Sequence, residues 1–259
     1  MKSSRKALKV LGVGLLLTLA IVGVVYAAVV DIDNFSEHSF SITADDADKS
    51  SSTSVGSSST TSIIGGYRDA IVSHSSGSGE NTVQLQVDTT AETLSLSVAS
   101  GAKGSGEIRW DGDNNASTDS YSLSEDLTAG DSTGIHMIVL SCDQNADIGF
   151  TGYDDADNHE KLTYRVAADT EYVELFYKFD DFSVTGSGAT WSSLGALELN
   201  LDGTLENDTD VTVDFIESTD EIREFGDLPD GTNPSLPDYS DVKNEIAAYH
   251  SNPQGLTLG

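Results

Sequence analysis

Apolar and polar residues alternate with a period of two along most of this chain. The pattern is clearest in TVQLQVD (82–88), TLSLSVA (93–99), GEIRWDG (106–112), IHMIVLS (135–141) and IGFTGYD (148–154). It continues in KLTYRVA (161–167), EYVELFYKF (171–179), ALELNLDG (196–203) and DVTVDFI (210–216). Val, Leu, Ile, Tyr or Phe occupies one face of each segment, and Gly, Asp, Asn or Ser clusters close its ends, as half-buried strands require. A strand buried on one face only belongs to an antiparallel sheet packed against a second sheet. No amphipathic helical segment intervenes, which argues against α/β architectures. The pattern predicts an all-β protein: an antiparallel β-sandwich of jelly-roll type.

The ends read differently. Residues 10–26 are apolar or small and uncharged, and Lys2, Arg5, Lys6 and Lys9 precede them. That is the layout of a signal helix, so 1–27 is expected to be a signal peptide, with the mature chain starting at Ala28 or Val29. The alternative is an uncleaved membrane anchor, since a run of 17 apolar residues is near the lower limit for spanning a bilayer. Both readings place the remainder outside the cell or on its surface. The Ser/Thr-rich stretch 43–62 predicts a long loop or a ragged edge segment. All four prolines, Pro229, Pro234, Pro237 and Pro253, fall after the last alternating segment. The organisation expected is therefore a sandwich over 28–218 and an irregular tail over 219–259, with a short helix at 240–250 capped by Ser240 or Asp241.

Charge narrows the partners. The chain has 13 Lys+Arg against 43 Asp+Glu, a formal charge of -30. Without the leader's four basic residues, 9 Lys+Arg face 43 acids. Such a surface repels nucleic acid and anionic lipid, so no nucleic-acid partner is expected, and a membrane only through an uncleaved N-terminal segment. Of the acids 29 are Asp, which favours loops and cation sites over helices. Cys142 is the single cysteine, so no internal disulfide forms. Its strand context suits a buried side chain better than a reactive thiol.

Enzyme templates fit poorly. GxSxG, HExxH, CxxC and a phosphate loop do not occur, and the five histidines are scattered. His136 sits between apolar neighbours in an alternating run, which predicts a ring facing solvent. Carboxylate pairs for glycoside hydrolysis are too numerous to carry meaning without geometry. Calcium is the stronger possibility. DGDNNASTD places oxygen ligands at Asp111, Asp113, Asn115, Ser117 and Asp119, every second residue, as a loop wrapping a hard cation does. It departs from an EF-hand, with Ala116 where Gly is needed and Ser122 where the bidentate Glu belongs, and for this segment alone an Asp/Asn-rich hairpin loop outweighs a cation site. Among aromatics, Trp110, Trp191 and Tyr153 are candidate sugar platforms. Trp110 shares the apolar face with Ile108, and Trp191 resembles a plug at the sandwich end, so both fit the core more readily.

One motif stands apart. In SIIGGYRDAIV (62–72), Gly65 and Gly66 suit a sharp turn into an edge strand, after which Arg68 and Asp69 point to opposite faces. Arg68 is expected to pair with a distant carboxylate or with carbonyls, a structural role that outweighs direct ligand contact. The succession VDIDNFSE, IIGGYRD, GSGEIRWDGDNN, DLTAGDSTGIHMIVLSCD, YKFDDFSV, WSSLGALELNLDG and DVTVDFI resembles a family of uncharacterised secreted bacterial proteins. It is similar, more distantly, to galactose-binding-like jelly rolls, including carbohydrate-binding modules. That resemblance implies an opening strand near Phe35 lying beside a closing strand at Asp214 and Ile216, and a structural calcium near one end. The alternative to the Asp111–Asp119 loop as the cation site is one uniting N-terminal acids with Asp214. The function expected is a secreted or cell-surface, non-catalytic module binding glycan or surface polymer, with calcium as structural support. The alternative is a structural or adhesive surface protein that self-associates or binds other proteins.

Overall fold

In a computed structural model of the protein, the described residues are 30–220, apart from 47, 78–80 and 117–119. The expected signal segment, nearly all of the tail with its short helix, Ser117 and Asp119 lie outside them. The first half of the sandwich comprises β1 (Val30–Asp33), β2 (Phe40–Ala44), β3 (Ser50–Gly56), β4 (Tyr67–Ser76), β5 (Val83–Asp88), β6 (Thr93–Val98) and β7 (Lys103–Trp110). The second comprises β8 (Gly134–Cys142), β9 (Ala146–Tyr153), β10 (His159–Val166), β11 (Thr170–Lys178), β12 (Ser183–Thr185), β13 (Ala196–Asp202) and β14 (Asp210–Thr219).

These strands form two antiparallel seven-stranded sheets. The first has the order β11-β8-β14-β6-β5-β2, with β1 also paired to β14. The second has the order β12-β10-β9-β13-β7-β4-β3. The architecture is the jelly-roll type of sandwich that the alternation predicts. The inner faces supply the core: Leu85, Leu94, Leu96, Met137, Val139, Val211 and Val213 from the first sheet meet Ile108, Trp110, Ile148, Phe150, Leu197 and Leu199 from the second. Tyr177 shows how tightly the layers are joined. Its buried hydroxyl donates to the Ile148 carbonyl at 2.9 Å, and its ring meets Phe150 edge-on at 4.9 Å.

One expectation holds in its edge-segment form, and another shifts. The Ser/Thr-rich stretch contains an edge strand, β3, which pairs with β4 alone. The strand entered through Gly65 and Gly66, β4, therefore lies second from the edge, hydrogen-bonded on both sides to β3 and β7. Sequence placed it at the edge because polar β3 offers no apolar rhythm to reveal a further strand. The closing strand does run beside the opening one, with Asp33 opposite Ile216.

Cys142 is buried, and its thiol donates to the Gln144 carbonyl. Burial, followed by the nearby Asp143 charge, pushes the thiol up to about 11. A thiolate is the reactive species. Cys142 should therefore resist a disulfide-exchange reagent at pH 8 in the native protein and react fully in denaturant; rapid native labelling would mean that the end of β8 opens readily. Among the described residues, no helix is long and apolar enough to cross a membrane.

Candidate functional site

Three places gather polar chemistry, and the Gly-Gly-x-Arg-Asp motif connects two of them. Gly65 has φ +68 and Gly66 φ +81, in the left-handed region that favours glycine. The turn they make delivers Arg68 to the sandwich interior and Asp69 to the outer face of the second sheet. Arg68 and Asp33 are both fully buried. The guanidinium donates through Nε to Asp33 Oδ2 at 2.7 Å and through Nη2 to Oδ1 at 2.6 Å, and Nη1 donates to the His38 carbonyl at 3.0 Å. Trp110 Nε1 donates to Asp33 Oδ2 at 2.9 Å, and the Phe35 backbone N–H donates to Oδ1 at 2.9 Å. Asp33 belongs to β1 of the first sheet, and Arg68 and Trp110 to the second, so this network joins the layers. Arg68 and Trp110 thus have their polar atoms engaged inside the protein and present no surface to a ligand.

Asp69 lies on the other side of β4, with Arg109 of β7 and Ser54 of β3 as its cross-strand neighbours. Asn114 and Ser120, which follow β7, reach its two neighbours. Ser54 donates to Asn114 Oδ1 at 3.1 Å, and Arg109 Nη2 donates to the Ser120 carbonyl at 2.9 Å. The Arg109 guanidinium lies between two rings, 4.8 Å from Tyr121 and 4.7 Å from Tyr153. Tyr153 also donates its hydroxyl to Glu198 Oε2 at 3.1 Å, which holds the ring against the sheet. Asp69 is only 2% exposed, and neither carboxylate oxygen has a hydrogen-bond partner. Burial pushes it up to about 7, and Asp111 and Asp113 add to the rise; Ser54 and Arg109 pull the other way. Ser54 gives limited relief, because its one hydroxyl hydrogen is directed to Asn114. Asp111, 1% exposed, accepts from the Asp113 N–H with Oδ1 while Oδ2 has no partner. Burial raises it also.

The third place is the outer face of the first sheet. Here β14 departs from regular register between Val213 and Ile216, and the irregularity presents Asp214 and Phe215. A groove of about 460 Å³ is lined by Asp31, Asn34, Glu92, Asp214, Phe215, Ile216 and Glu217. Phe215 meets His136 edge-on at 5.4 Å, and His136 Nδ1 lies 3.1 Å from Glu217 Oε1. Contrary to the expectation of an exposed ring, His136 is buried, because Phe215 and the Glu174 and Glu217 side chains close over it. Tyr172, with φ +59 and 44% exposure, donates to Glu174 Oε1 at 2.7 Å.

The sequence candidates are therefore scattered. Asp111, Asp113 and Asn115 share one loop, whereas Asp214 belongs to the groove on the other sheet. Trp191 is 9% exposed, stacked on Phe179 at 4.4 Å, with its N–H donated to Glu160. Tyr153 is half-buried beside Arg109. Phe215 and Glu217 were missed, although the adjacent apolar pair Phe215-Ile216 breaks the alternation and marks the irregular register. The alternation places Asp69 on the face opposite Arg68, and nothing in its spacing marks it as a ligand.

The two sheets and their order define an all-β sandwich of jelly-roll type. No protein-family model and no curated protein sequence matches the chain. Among solved structures, it is similar to a family 11 carbohydrate-binding module from Clostridium thermocellum in complex with a β-1,3-1,4-mixed-linked tetrasaccharide. The identity is 10%, over 75% of this chain and 97% of the other, with a TM-score of 0.39. The family 11 module of the cellulosomal cellulase Lic26A-Cel5E of Clostridium thermocellum gives 9% identity over 77% and 98%, with a TM-score of 0.40. A family 29 carbohydrate-binding module gives 11% over 65% and 88%, with a TM-score of 0.33.

Proposed function

We propose that this protein is an exported, non-catalytic module that binds glycan or a surface polymer on the outer face of its first sheet. The carrying observation is the groove in which the half-buried Phe215 ring is set among Asp31, Glu92, Asp214 and Glu217. A sugar ring offers C–H groups that pack on an aromatic face and hydroxyls that donate to carboxylates, and this groove supplies both. Tyr172, on the same face and close enough to feel the Asp214 charge, extends the surface a further ring can occupy.

A glycan array followed by calorimetry on the best oligosaccharide tests the reading. Phe215→Ala is expected to weaken binding about tenfold, about 1.4 kcal/mol, while leaving the melting temperature nearly unchanged. Failure to bind any glycan, or binding indifferent to Phe215→Ala, would remove this assignment. A second reading, a surface protein that self-associates through a sheet edge, has one observation in its favour. Val184 is 62% exposed on the short edge strand β12. A concentration-dependent mass in solution, lost in Val184→Lys, would favour it instead.

A further inference from the structure

We propose that Asp69 and Asp111 ligate a divalent cation, calcium by their oxygen chemistry, beneath the loop that follows β7, with Asp113 adding negative charge from the loop. The site lies on the outer face of the second sheet and is independent of the glycan reading.

Asp69 lies on β4, and Asp111 directly follows the end of β7. Asp69 is opposite Arg109 in the β4–β7 ladder, and Asp111 follows Arg109 by two residues, so all three side chains belong to one face. Asp69 and Asp111 are 2% and 1% exposed, yet both Asp69 oxygens and Asp111 Oδ2 lack a hydrogen-bond donor. Burying ionised carboxylates without partners is costly, and native folds pair them or bind metal. The one nearby guanidinium does not meet the need. Arg109 Nε is 3.9 Å from Asp111 Oδ2, its Nη2 is spent on Ser120, and its Nη1 faces Glu198 at 3.5 Å. One positive charge thus serves Asp69, Asp111 and Glu198 together, with Asp113 close by. Ser54, directed to Asn114, and Arg109, shared among several acids, leave both carboxylates with open lone pairs.

The ligand chemistry points to a hard cation. Among the described residues, no group of three or more His, Cys, Asp or Glu side chains is gathered for a metal. Asp69 and Asp111 therefore supply only part of a coordination shell; their open donors are all oxygens, which suits a hard cation better than zinc, whose sites are tetrahedral and rich in nitrogen or sulfur. Calcium takes six to eight oxygens in flexible geometry, so carbonyl, amide and water oxygens would complete a shell begun by Asp69 of β4 and Asp111 after β7.

The test compares thermal melting of the whole protein in calcium, in chelator, and in magnesium or sodium at equal ionic strength. Calcium at a hundred times its dissociation constant is expected to raise the melting temperature by about 5–10 °C. Asp69→Asn should abolish this shift and melt no lower than wild type in chelator, since it removes an unpaired buried charge. Asp214→Asn should retain the shift. Calorimetric titration of calcium into the wild type should show one site, absent in Asp69→Asn. Identical wild-type curves in calcium and chelator, a calcium shift surviving in Asp69→Asn, or a shift lost in Asp214→Asn would each overturn the proposal. So would an Asp69→Asn protein that melts several degrees below wild type in chelator, because the carboxylate would then have a protein partner.

Discussion

Arg68→Ala should destabilise the protein by about 3–5 kcal/mol, the cost of leaving a buried carboxylate without its counter-ion. Both partners are fully buried, and Asp33 accepts from Arg68 twice, from Trp110 and from the Phe35 backbone. Removing the guanidinium strands a charge that water cannot reach and frees the His38 carbonyl as well. For a domain of this size the melting temperature should fall by roughly 6–20 °C. Arg68→Lys should recover little, because an ammonium cannot reproduce the planar two-pronged contact. Pairing Arg68→Met with Asp33→Leu should cost less than Arg68→Met alone, since the stranded charge disappears with its partner. Denaturant melts of these variants decide the matter. A loss below about 1 kcal/mol for Arg68→Ala would mean that water enters the layer and screens Asp33.

The same pair shows which parts of the structure could be read from the chain. Period two alone sends Arg68 and Asp69 to opposite faces, and the β4 register confirms it. The hairpin of β5 and β6 was equally legible, because VQLQVD and TLSLSV carry full contrast between Leu or Val and Gln or Ser. Contrast fails elsewhere for identifiable reasons. β3 is SSSTSVG, with one apolar side chain, and β4 buries Arg68 and His74 on the face that should read as apolar. The sites were less visible than the strands. Asp69 and Asp111 meet because β4 is hydrogen-bonded to β7, a neighbour relation that no local spacing encodes. Asp31 reaches Asp214 and Glu217 for the same reason, through the pairing of β1 with β14. Burial of Trp110, by contrast, followed from its phase with Ile108.

The two glycines of the motif should fail differently when given a side chain. A Cβ on Gly66 would stand 2.6 Å from the Ser57 carbonyl oxygen, a backbone atom held in place by the Ser57 N–H bond to the Gly66 carbonyl. A Cβ on Gly65 would meet the Leu123 Cδ1 methyl at 2.6 Å, the far end of a side chain that can rotate, and the Gly112 Cα at 3.0 Å. Each also forces an L-residue to positive φ, which costs about 1–2 kcal/mol by itself. Gly66→Ala should therefore cost about 2–4 kcal/mol, as the turn cannot keep both its hydrogen bond and its path, whereas Gly65→Ala should cost about 1–2 kcal/mol. The smaller loss has the more informative consequence. Gly65 packs against Gly112, the residue beside Asp111, so a methyl there pushes on the chain that covers Asp69. Gly65→Ala is expected to weaken calcium binding by more than its stability loss suggests, while Gly66→Ala lowers the melting temperature in calcium and in chelator alike. Equal stability losses in the two variants, measured by denaturant melts, would show that the backbone angle alone decides the cost and that the Ser57 carbonyl yields.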